Sequence, residues 1–138
     1  MANADVEELI EEARRAQAKA YARYSGYAVG AALRAASGRI YAGCNVENAA
    51  YPLSQCAEAN AVAAMVLGGD REIAEVAIVG PGEVLCTPCG GCRQALAEFG
   101  NAGVPIHICG PTGDVVEESL GVLIPHAFGP DNLADPEE

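Results

Sequence analysis

Two short segments, Cys56-Ala57-Glu58 and Pro88-Cys89-Gly90-Gly91-Cys92, each stand where a helix is expected to begin, and using them together requires a fold that brings two helix N-termini to one point. From Cys56 to Leu67 the string CAEANAVAAMVL is dense in helix formers and ends at Gly68-Gly69, a C-terminal stop. Thr87-Pro88 offers an N-cap followed by proline at the first helical position, so a second helix is expected through Phe99, where Gly100 ends it. On that helix Cys89 and Cys92 are three residues apart, which puts both sulfurs on one face, able to close on a single ion. Cys86 lies before Thr87-Pro88 in an extended segment and is expected to be a small apolar filler. The pair Cys86 and Cys89 has the same C-x-x-C spacing, so the choice rests on where the helix starts.

The remaining segments alternate strand and helix signals. Asp5-Val6-Glu7-Glu8 has the form of a capping box, and Val6, Leu9, Ala13, Ala16 and Ala20 follow at helical spacing, predicting an amphipathic helix to about Tyr21. Val29 to Ala35 and Arg39 to Val46 read as two strands joined across Ser37-Gly38. Glu75 to Val79 and Pro105 to Cys109 are short apolar strands, with Val115-Val116 a further one. This alternation implies an α/β layered sheet. At 138 residues and 51% hydrophobic, the chain suits a single domain over 1–138, with 132–138 an acidic tail.

Eight Lys and Arg against nineteen Asp and Glu leave a net charge of −11, which repels polynucleotides and anionic lipid surfaces. The first residues show no basic start followed by an apolar stretch, and no run is long enough for a membrane span, so a cytoplasmic protein with no membrane partner is expected. In a reducing compartment, six cysteines point to metal or catalysis before disulfides.

Cys56, Cys89 and Cys92 would give a zinc ion three thiolates and leave one position open, the mark of a catalytic rather than a structural site. Helix N-termini at both segments favour the thiolate form. Glu58, two residues past Cys56, is expected as a proton carrier rather than a ligand. Two other readings fit the same cysteines. One is a structural zinc module in which Cys86 or Cys109 closes the fourth position; the other is thiol–disulfide exchange through Cys89 and Cys92. Cys44 and Cys109 are expected as packing thiols, and His107, alternating with Ile106 and Ile108, as an outward or hydrogen-bonded histidine. Nothing fixes a role for His126.

The motifs together, in this order, resemble the zinc-dependent nucleoside deaminases, and most closely the small homotetrameric cytidine deaminases. The likeness runs from Tyr24-Ser25 and Val29-Gly30-Ala31-Ala32 through Gly43-Cys44-Asn45-Val46-Glu47-Asn48-Ala49, Cys56-Ala57-Glu58 and Pro88-Cys89-Gly90-Gly91-Cys92-Arg93-Gln94 to Phe128-Gly129-Pro130. It implies a three-layer α-β-α sandwich around a mixed sheet of about five strands, and one zinc ion per chain on Cys56, Cys89 and Cys92. The implied reaction is deamination of cytidine or 2′-deoxycytidine to the uridine nucleoside and ammonia, in pyrimidine salvage, by zinc hydroxide attack on C4 with Glu58 shuttling protons. Related deaminases of other aminopyrimidines share these elements. The resemblance further implies that Asn45 and Glu47 bind the ribose, that Tyr27 lines the pocket, and that the backbone at Ala57 and Pro88 meets the base. Phe128 would reach a site across a subunit boundary, and Tyr51 would reach a neighbouring site or simply pack.

Two positions differ from the family pattern. Where the family often has an Arg that bonds the zinc thiolates, this chain has Ala59 and then Asn60. Three thiolates and a hydroxide carry more negative charge than the dication neutralises, so helix dipoles, Asn60 or, as the preferred candidate, Arg93 is expected to draw charge away. Tyr27-Ala28 also replaces the usual Phe-Pro, which makes the pocket rim more polar.

Overall fold

A computed structural model of the chain describes residues 4–111 and 113–133. Helix α1 (Ala4–Gln17) is followed by strands β1 (Gly30–Ala35) and β2 (Ile40–Cys44), helix α2 (Ala57–Leu67), strand β3 (Ile73–Val79) and helix α3 (Gly90–Phe99). Strands β4 (Pro105–Cys109) and β5 (Val115–Ser119) and a short helix α4 (Leu120–Leu123) complete the main elements. Single 3-10 turns occupy Tyr51–Leu53 and Pro130–Asn132.

The strands form one mixed sheet in the order β2-β1-β3-β4-β5. Only β3 and β4 run parallel, and α3 is the crossover between them. The two-residue period of the strands gives each sheet face its own core. Ala31, Leu33, Val76, Ile78, Ile106 and Ile108 share a core with Ala57, Ala61 and Met65 of α2 and Leu96 of α3. On the opposite face Ala32, Ala77, Val79 and Cys109 pack against Leu9 and Ala13 of α1. Three layers result, as the sequence led us to expect. No helix among the described residues is long and apolar enough to cross a membrane.

Several boundaries differ from expectation. Asp5 lies inside α1 rather than capping it. That helix stops at Gln17, short of Tyr21, because the Tyr21 N–H donates to Asn45 O at 2.9 Å and Tyr21 O accepts from Glu47 N at 2.9 Å, drawing the chain into a bridge with Val46. The strand expected as Val115-Val116 continues to Ser119. Of the tail expected over 132–138, Asn132 closes a 3-10 turn, and the part from 134 onward lies outside the described residues.

Close backbone approach seats α2 on β2. A Cβ at Gly43 would lie 2.4 Å from Ala61 N and 2.5 Å from Ala57 O, both in the backbone of α2. Gly43→Ala must therefore push away the helix that begins at the Cys56-Ala57-Glu58 segment. We expect a loss of about 2–3 kcal/mol of stability in denaturant titration, with kcat falling alongside it because Glu58 moves with the helix.

Candidate active site

The two helix starts do meet. Cys56 is the N-cap of α2 and Cys89 the N-cap of α3, and their Sγ atoms are 3.8 Å apart. The helix expected from Pro88 thus starts two residues later, at Gly90. Gly90-Gly91 forms the first turn, and Cys92 on that same turn brings its sulfur to the other two. All three Sγ atoms lie within 4.8 Å of one another. Bonds of about 2.3 Å from a tetrahedral zinc ion to two thiolates put their sulfurs about 3.8 Å apart, the Cys56–Cys89 spacing found here, so the residues fit the ion.

The electrostatics agree with that fit. Burial pushes the Cys56 thiol above its ordinary value, and it raises Cys92 still more, helped by the charges of Glu58 and Cys56. At Cys89 burial acts the same way but is outweighed by the Cys92 N–H and the thiols of Cys92 and Cys56, so its pKa falls. Cys56 and Cys92 thus resist ionising on their own while Cys89 ionises more readily, and a divalent cation favours the thiolate form of all three. No fourth thiol joins them among the described residues. Cys109 is buried in the α1-side core, and Cys86 packs over Gly80 with its thiol on the Tyr27 hydroxyl. Neither cysteine proposed to close a structural site is in position to do so.

Glu58, in the first turn of α2, is only 4% exposed. Burial raises its carboxyl above the usual range, against the opposing pull of its own backbone N–H and the Cys92 thiol. A buried carboxyl with a raised pKa beside a metal-binding cluster has the character of a group that takes and returns protons. Above it opens a cavity of about 480 Å³ whose lining includes Tyr27, Asn45, Glu47, Ala57, Glu58 and Cys86.

Asn45 and Glu47 are both on that wall, and both also hold its rim. Asn45 Oδ1 accepts from Val29 N at 2.9 Å while its Nδ2 donates to Tyr27 O at 2.9 Å. Glu47 Oε1 accepts from Tyr24 N at 2.8 Å and Ser25 N at 3.0 Å, and the Ser25 hydroxyl donates to Oε2. The Ser25 hydroxyl and the two N–H groups keep the Glu47 carboxyl below its ordinary pKa. These side chains thus satisfy the backbone of a distant loop, not of their own turn. Ser25 as the partner of Glu47 was missed in the sequence, where only the neighbouring Tyr24-Ser25 motif pointed to it.

The other expected site residues lie farther out. Tyr51 is 70% exposed, stacks edge-on with Tyr24 at 5.9 Å, and lines an adjoining cavity of about 310 Å³ with Ser25 and Glu47. Pro88 is fully buried, and its carbonyl accepts from Arg93 Nε at 2.7 Å. Arg93 also donates to Leu123 O at 2.7 Å, and Asn60 Nδ2 donates to Cys44 O at 2.8 Å; both side chains thus end on carbonyls. Phe128 is 56% exposed and is absent from the lining of the 480 Å³ cavity of its own chain. His107 is buried between Glu75 Oε2 at 3.1 Å and Glu117 Oε1 at 3.7 Å, hydrogen-bonded as expected and remote from the thiol cluster.

Comparison with known proteins places this geometry. Residues 3–108 match the family described as the cytidine and deoxycytidylate deaminase zinc-binding region. A cytidine deaminase of Sporosarcina psychrophila is 43% identical over 130 residues, covering 94% of this chain and 96% of the relative. One from Mycobacterium tuberculosis is 44% identical over 134 residues, covering 96% of each. The crystal structure of a cytidine deaminase from Burkholderia pseudomallei superposes with a TM-score of 0.85 at 42% identity, over 93% of this chain and all of that one. With the family match spanning most of its length and the three thiols gathered where two helices begin, the chain belongs to the cytidine and deoxycytidylate deaminase zinc-binding family.

Proposed function

We propose that this protein hydrolyses cytidine, and 2′-deoxycytidine, to the corresponding uridine nucleoside and ammonia. The observation that carries this reading is the buried Glu58 carboxyl beside three thiols within 4.8 Å of one another, at the floor of a cavity large enough for a nucleoside. A zinc ion on Cys56, Cys89 and Cys92 supplies Lewis-acid activation of water. Glu58 accepts one proton from water and passes it to N3 of the base, then takes the second from the hydroxyl newly bonded to C4 and delivers it to the departing amine, leaving the C4 carbonyl. Water and cytidine go in; uridine and ammonia come out.

Asn45 and Glu47 face the ribose, and the Ala57 and Pro88 backbone faces the polar edge of the base, with Tyr27 closing the side of the pocket. Arg93 draws electron density from the metal loop through Pro88 O, and Asn60 steadies the first turn of α2 against Cys44 O at the end of β2. Phe128 and Tyr51, both exposed on their own chain, serve neighbouring sites in a homotetramer. A net charge of −11 favours a free nucleoside over a polynucleotide in a cytoplasmic salvage role.

The test is zinc per chain measured together with cytidine consumption and ammonia release. We expect one zinc ion per chain and one ammonia for each cytidine lost. Zinc-loaded protein that leaves cytidine untouched overturns the reading.

A further inference from the structure

The helix that carries two of the three thiols also grips the segment that carries Phe128. Arg93, one residue past Cys92, spans two carbonyls with its planar fork, Pro88 O at 2.7 Å and Leu123 O at 2.7 Å. Gln94, the next residue, donates its side-chain amide to Phe128 O at 2.7 Å. The first contact fixes the segment where α4 ends, and the second fixes it at the aromatic residue itself. Between them the backbone turns sharply at His126, a non-glycine residue with φ of 53°, and beyond them Gly129 N donates to Asn132 Oδ1 at 2.8 Å. The segment from Leu123 to Phe128 is thus tied to α3 at both ends, with the Phe128 ring more than half exposed.

We propose that Gln94 is a positioning residue for the reaction: it holds the Phe128 backbone so that the ring is presented, preformed, to the nucleoside site of a second copy of the chain. This rests on the reading above that Phe128 serves a neighbouring site. Gln94 touches neither the metal cluster nor the cavity of its own chain. Its action is through the strap alone. A preordered aromatic side chain binds better than one that must be ordered on contact, because the entropy of fixing it has been spent in folding. The same helix start thereby organises the metal loop of one site and the wall of another.

The test uses zinc-loaded enzyme with Gln94→Glu, which keeps the size of the side chain but replaces the donor with a carboxylate that repels the Phe128 carbonyl. Gln94 is exposed, so the substitution leaves folding intact. We expect KM for cytidine to rise about tenfold with kcat and zinc content nearly unchanged, the pattern of lost binding rather than lost chemistry. Phe128→Ala should raise KM at least as much, and the double variant should be no worse than Phe128→Ala alone, since both act through one ring. Co-assembly of Gln94→Glu chains with an excess of Glu58→Gln chains, which lack the proton carrier but bear a well-held strap, should restore KM.

A silent Gln94→Glu beside a costly Phe128→Ala overturns the proposal and leaves the shared site standing. Additive effects in the double variant, or no recovery on co-assembly, overturn it as well. A silent Phe128→Ala removes the shared site and this proposal together, while deamination by the wild type still stands.

Discussion

Glu58→Gln lowers kcat for cytidine by about three to four orders of magnitude while leaving zinc per chain and the melting temperature unchanged. Glutamine keeps the volume of the side chain and the first turn of α2, but it neither accepts nor returns a proton. Because the wild-type carboxyl is 4% exposed and its charged form is disfavoured by burial, a neutral amide there carries no added desolvation cost. The loss is therefore confined to the chemical step. Rate measurements under saturating cytidine, paired with metal analysis of the same sample, check it. A variant retaining a tenth of wild-type kcat would show that protons travel by another route.

The cysteine triplet at 86, 89 and 92 gives the second large effect. Cys92→Ala removes a buried thiol of the cluster from the first turn of α3, and the loss of one proposed ligand of three should weaken zinc binding by roughly 10²- to 10³-fold, so purified protein should carry little metal and no measurable activity. Cys86→Ala should keep its zinc and most of its turnover. That thiol faces the Tyr27 hydroxyl and packs over Gly80, so its removal costs on the order of 1 kcal/mol of stability. Zinc retained in Cys92→Ala and lost in Cys86→Ala would reverse the assignment of the two positions.

How much of this was legible beforehand depends on whether the signal was local. The strand at Pro105–Cys109 and the helix ending at Leu67 were placed correctly because alternation, helix formers and a glycine stop all act within a few residues. The gathering of the three thiols was legible for the same reason: Cys89 and Cys92 are one helical turn apart, and Cys56 and Cys89 each stand at a helix start, with Glu58 two residues past Cys56. The start of α3 was misplaced because cysteine is not among the usual capping residues, so Thr87-Pro88 attracted the assignment while Cys89 took the cap. The charged end of β5, Glu117 and Glu118, hid its length, since an edge strand accepts polar residues that a covered one does not. Contacts made across space gave no local sign. Gln94 meets Phe128 across 34 positions and Ser25 meets Glu47 across 22, and no periodicity links such pairs.

The meeting of Cys56 and Cys89 also bears on how the chain folds. Their sulfurs stand 3.8 Å apart across 33 positions of sequence that include the whole of α2 and β3. An ion bridging them ties that stretch into a ring, and ring closure of this length removes about 4 kcal/mol worth of freedom from the unfolded chain in the chain-entropy account. Zinc bound there would thus also staple the architecture, and a chelator that removes it should lower the melting temperature as well as the activity.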